Sequence, residues 1–146
     1  WNRKSTKTPN TNTRILKLTT TTMTREDKVK QFRDAADKKV FLEDPSEGRM
    51  ITDCIDEELD EFVGAVIEFE RNPYNVEARA NLCKEWADLQ YVVSQAALYY
   101  EIPSDKSFDR VHDSNVTKVV QGKVIFRDDG KILKPDTYKA PDMRGL

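Results

Sequence analysis

The sequence predicts an all-α fold, an antiparallel helical bundle followed by a short C-terminal β-hairpin. Three observations carry that prediction. Charged residues make up 34% of the chain and hydrophobic ones 38%, while Gly and Pro number only five and six, a balance that suits helices with one wet face. Apolar residues recur at three- and four-residue spacing along four segments. Chain breakers stand between those segments, at residues 44–48, at Asn72-Pro73 and at Ile102-Pro103. With 146 residues the chain is long enough for one core and too short for two.

The first helix is expected over residues 25 to about 39, with Thr24 and Asp27 as a capping pair and Val29, Phe32, Ala36 and Val40 on its apolar side. A longer helix runs over residues 50 to about 71, carrying Ile51, Cys54, Ile55, Leu59, Phe62, Val63, Val66 and Phe69, and Asn72-Pro73 stops it. The third starts near Asn75 and continues to about Glu101, with Leu82, Trp86, Leu89, Val93, Ala96, Ala97 and Tyr100 on its stripe. Ser104 or Asp105 caps a fourth to about Val119, with Phe108, Val111, Asn115 and Val119 on one side. Residues 123–127 and 131–133 then flank Asp128-Asp129-Gly130, a hairpin signal. Residues 1–22, Thr-rich and basic, are expected to be an added or processed extension, leaving residues 23–146 as the domain.

A net charge of -2 points to neither a nucleic-acid nor a membrane-surface partner. No apolar run approaches the roughly 18 residues of a membrane span, and no secretion signal is recognised, so a cytoplasmic location is expected. Cys54 and Cys83 fall among apolar positions and read as small hydrophobes rather than as a disulfide or a zinc site. The charge is unevenly spread. Residues 51–70 hold eight acids and no base, whereas residues 117–146 hold seven bases and four acids.

Within the acidic stretch, Glu58 and Glu61 are three apart and share a helix face, as do Glu85 and Asp88 on the next helix. Each pair abuts an apolar stripe. A carboxylate near a core is costly unless a cation compensates it, and no Lys or Arg lies in residues 51–70. A hard divalent cation, bound by carboxylate oxygens and substrate phosphates, meets that need. The alternative is a solvated acidic surface, the usual fate of acids on helices. Further on, Asn115 and Lys118 follow Asp113 and are suited to orient a phosphate or a metal-bound water; alternatively Lys118 is a helix-end cation favoured by the macrodipole. His112, the only histidine, is read as structural or incidental, and no Gly-rich phosphate loop is present.

These residues together resemble the MazG-like all-α nucleotide pyrophosphohydrolases, whose signature is E-E-x-x-E followed by E-x-x-D. The matching residues are Glu57-Glu58-Leu59-Asp60-Glu61 and Glu85-Trp86-Ala87-Asp88; Asp88-Leu89-Gln90-Tyr91 is similar to the family's D-L-x-Y stretch. The segment from Val111 to Lys118, with Asp129-Gly130-Lys131 and Tyr138-Lys139, looks like phage and bacterial members that end in a short hairpin.

The resemblance implies hydrolysis of a (d)NTP to (d)NMP and pyrophosphate, with Glu58, Glu61, Glu85 and Asp88 as ligands of Mg2+, replaceable by Mn2+, at about two or three ions per site. Glu58 or Glu61 would accept the water's proton, a choice the sequence leaves open. Asn115, Lys118, Lys134, Tyr138 and Lys139 would contact substrate, with Lys123 a further basic candidate for the leaving pyrophosphate. Trp86 or Tyr138 would stack on the base, Trp86 being otherwise a core residue; GTP or dGTP is the expected substrate. Family members assemble as homodimers or dimers of dimers. The second and third helices agree, being apolar over more surface than one small bundle covers, through Val63, Ile67, Tyr91, Val92 and Tyr99. Two other readings are carried: a phosphoribosyl-ATP pyrophosphatase, and a non-catalytic helical nucleotide-sensing or interaction module.

Overall fold

The computed structural model describes residues 23–146; the extension expected at residues 1–22 lies outside the described residues. Four α-helices follow one another: α1 (Arg25–Ala35), α2 (Gly48–Arg71), α3 (Val76–Tyr99) and α4 (Ser104–Val116), with a short 3-10 turn (Pro45–Glu47) before α2. The all-α expectation holds.

Local chemistry sets the helix ends. Thr24 and Asp27 form a reciprocal capping box, in which the Asp27 N–H donates to Thr24 Oγ1 at 3.1 Å and the Thr24 N–H to Asp27 Oδ2 at 2.9 Å. α1 stops at Ala35 rather than near Lys39. Asp37 takes a left-handed φ of 52°, and the buried Arg33 reaches over the turn to donate from Nη2 to Lys39 O at 2.6 Å. That bond draws the chain back across the end of its own helix. The inner side of α1 is accordingly Val29 and Arg33, whereas Phe32, expected to be internal, is 58% exposed. Asn75 caps α3 by accepting from the Ala78 N–H at 2.8 Å.

α2 and α3, of 24 residues each, pack along one another across the short connection at residues 72–75. Their contacts pair Gly48 with Tyr99 and Phe62 with Trp86, so numbers rise on one helix as they fall on the other, an antiparallel pair. α1 runs parallel to α3, and so antiparallel to α2, with Arg25 donating to Gln90 and the Arg33 guanidinium over the Tyr99 ring. Tyr99 is fully buried beside Phe41 and donates from Oη to Asp44 O at 2.8 Å. It anchors the loop between α1 and α2. Gly48 packs closely there: a Cβ would stand 3.1 Å from the Tyr100 hydroxyl, which would have to shift slightly.

α4 makes no extended packing against α1, α2 or α3. Its neighbour is the C-terminal tail: Ser114 Oγ donates to Lys139 O at 2.7 Å, and Arg110 Nη1 donates to Asp142 O and Arg144 O. The buried side of α4 is thus the Arg110 and Ser114 side. Phe108, Val111 and Val119, expected together on an apolar side, are exposed, and so are Leu59, Val63 and Ile67 on α2.

The hairpin expected over residues 123–133 is reduced to one antiparallel bridge, Phe126 with Ile132, around a turn in which Gly130 has φ of 79°. No strand forms among the described residues. A two-stranded ribbon with no further strand beside it has little to hold it. No described helix is long and apolar enough to cross a membrane.

Candidate metal centre

Three-residue spacing on α2 aims Glu58 and Glu61 at α3, where Glu85 faces them. One oxygen from each of the three carboxylates lies within 4.8 Å of the others. Glu85 is 6% exposed. One oxygen of Glu58, Oε2, is buried and accepts no hydrogen bond. Asp88, the fourth expected ligand, stands outside the trio, one helical turn beyond Glu85 and more exposed.

Sequence reasoning missed the cation that binds these acids together. Lys84 Nζ lies 2.9 Å from Glu85 Oε2, 2.9 Å from Asp88 Oδ2 and 4.0 Å from Glu61 Oε2. Residues 51–70 offer no base, but Lys84 on α3 precedes Asp88 by four residues and therefore shares its face. The hydrogen bonds to Glu85 and Asp88 raise the Lys84 pKa well above the ordinary ammonium value. The Glu61 carboxyl is pushed above its usual range, first by the charge of Glu85, then by burial, by its hydrogen-bonding contact with Glu85 and by the charge of Glu58, against the opposing pull of Lys84.

These residues fit a hard divalent cation. All donors are carboxylate oxygens from two rigid helices, and the orphaned Glu58 oxygen is an acceptor with nothing to accept from.

The residues expected to contact substrate form a second group on α4 and the tail. Lys118 Nζ donates to Asn115 Oδ1 at 2.7 Å and lies 5.6 Å from the centre of the Tyr138 ring; Lys134 Nζ lies 4.7 Å from the same centre. The Ser114 hydroxyl, with the two ammoniums, holds the Tyr138 phenol below its ordinary pKa. Asn115 is exposed rather than turned inward, and Lys139 is engaged through its backbone with Thr117 and Ser114. Among the described residues no hydrogen bond or ion pair joins this basic group to the carboxylates.

Trp86, read from sequence as core in preference to a base contact, is 51% exposed. Together with Val29, Tyr91, Arg25 and Gln90 it lines a cavity of 270 Å³ between α1 and α3. The cavity is mostly apolar with a few polar groups at its edge, the pattern of a small-molecule pocket. Cys54 is half-buried and Cys83 exposed, and both are free thiols.

A family model described as phosphoribosyl-ATP pyrophosphohydrolase matches residues 26–115. The match runs from α1 into the last turn of α4 and takes in all four acids, leaving the basic tail outside it. That family stands in the same superfamily as the MazG-like all-α pyrophosphohydrolases. No curated protein matches the sequence.

Proposed function

The chain belongs to the phosphoribosyl-ATP pyrophosphohydrolase family, a nucleotide pyrophosphohydrolase by type, and from that premise we propose that it hydrolyses a (d)NTP to (d)NMP and pyrophosphate with Mg2+, in the MazG-like manner. The observation that supports this most is the convergence of Glu58, Glu61 and Glu85 within 4.8 Å, with a buried Glu58 oxygen left unpartnered.

In this reading Glu58, Glu61, Glu85 and Asp88 hold the ions. Divalent cations held by these residues would neutralise phosphate charge and activate the attacking water. Glu61, facing Glu85 across the two helices, accepts the proton of the attacking water on a carboxylate oxygen. Water adds to phosphorus as the bond between the α and β phosphates breaks, and pyrophosphate leaves. Lys118 and Lys134, held beside Tyr138, receive that anion, while Asn115 and Lys139 line its approach. The base, with guanine preferred, enters the cavity beside Trp86, whose indole is half-open for stacking.

Among the described residues the basic group makes no hydrogen bond or ion pair with the acids within one chain, and in this reading a second copy supplies it. The exposed row Leu59, Val63 and Ile67 on α2 and the exposed Phe108 and Val111 on α4 are the apolar faces on which a homodimer or a dimer of dimers assembles.

The test is product analysis with the common ribo- and deoxyribonucleoside triphosphates and Mg2+. Pyrophosphate and a monophosphate are expected, and Glu61→Gln or Asp88→Asn should lower the rate by about a hundredfold or more. A folded, Mn2+-saturated protein inert to all of them would overturn the reading. The family match fits phosphoribosyl-ATP as substrate equally well, and assaying that compound beside the triphosphates separates the two.

A further inference from the structure

We propose that Lys84 is a built-in counter-ion that competes with divalent cations for Glu85 and Asp88, so that metal enters only as the ammonium withdraws. The inference rests on the metal-binding reading of the carboxylates and adds to it a residue with a role of its own.

Among the described residues Lys84 is the one cation paired with any of the four acids, reaching three of them; the remaining ion pairs lie elsewhere. Its ammonium touches Glu85 and Asp88 at 2.9 Å each and stands 4.0 Å from Glu61. A carboxylate oxygen engaged by an ammonium at that distance is not free to ligate a magnesium ion at about 2.1 Å. Two cations so close would also repel each other strongly, in a site whose Glu85 side chain is 8% exposed. Occupancy by one therefore excludes the other at these oxygens.

The side chain is built to leave. Lys84 is 60% exposed, so its stem runs outside the helix pair and only the head reaches in. Withdrawal turns a flexible side chain into solvent without opening the packing of α2 on α3. A purely structural pair between Lys84 and Asp88, as at any exposed i,i+4 position, would engage Asp88 alone. Here the nearer-buried Glu85 is engaged equally, and Glu61 faces the same ammonium.

Isothermal titration of the full chain with MnCl2, without nucleotide, tests this on wild type, Lys84→Met and Lys84→Gln. Lys30→Met, which removes an exposed pair with Asp34 on α1, is the control. Both Lys84 variants should bind Mn2+ about tenfold more tightly than wild type, the effect of removing one competing contact, and the control should bind as wild type does. Equal or weaker Mn2+ binding by a folded Lys84 variant would overturn the inference and leave the metal centre standing. Absence of saturable Mn2+ binding in wild type and variants alike would overturn both.

Discussion

Glu58 Oε2 sits where no donor reaches it, and what that oxygen costs can be measured directly. A buried acceptor without a partner destabilises by about 1–3 kcal/mol, whereas an apolar side chain of like shape does not. Glu58→Met should therefore raise the melting temperature of the metal-free protein by roughly 3 °C, and abolish the rise that Mn2+ gives wild type. A lower melting temperature in metal-free Glu58→Met would mean that the oxygen is satisfied after all. Glu58, Glu61 and Glu85 were legible in the sequence, because three-residue spacing beside an apolar stripe fixes both the face and its nearness to the core. Asp88 was legible as a neighbour of Glu85, but spacing on one helix says little about reach across to another. Lys84 is not legible as their counter-ion, because sequence spacing does not show that a charge on α3 reaches an acid on α2. Trp86 and Asn115 went astray for a related reason: periodicity names a side of a helix, and only the neighbours decide whether that side is covered.

Helix starts were more legible than helix stops. The capping box of Thr24 and Asp27 is local chemistry, visible in four consecutive residues, and Thr24→Ala should cost about 1 kcal/mol in urea denaturation. The same box gives a pH dependence. Hydrogen bonds from Thr24, first its backbone N–H, hold the Asp27 carboxyl below its ordinary value of 3.8. The stability this adds is complete above 3.8 and is lost as pH falls through the lower value of the folded state; Asp27→Asn should remove that part of the acid transition, and an unchanged acid profile would contradict it. The end of α1 is different. It depends on Arg33 folding back to Lys39 O and on a left-handed Asp37, a non-local bargain between a guanidinium and the packed Tyr99 that no propensity encodes. The turn at Asp128-Asp129-Gly130 was equally readable, yet a turn supplies register and not the neighbouring strands that make a ribbon stable.

At the scale of the whole molecule, two features stand out among the described residues: exposed apolar rows on α2 and α4, and a basic group on α4 and the tail that makes no hydrogen bond or ion pair with the acids of α2 and α3. The first was foreseeable from helices apolar on too many sides, and the second was not, because sequence order says nothing of whether α4 returns to the bundle. If a second copy covers these rows, Val63→Glu and Ile67→Glu should convert the assembly to monomers by light scattering and remove activity while Mn2+ binding persists. Monomeric wild type with full activity would contradict that. The central claim, that the trio of carboxylates is a metal centre, is tested most directly by anomalous diffraction from crystals soaked in MnCl2. An anomalous peak among Glu58, Glu61 and Glu85, with the Lys84 ammonium displaced from Glu85, is the predicted result; well-ordered carboxylates with no peak between them, still paired to Lys84 at saturating Mn2+, would contradict it.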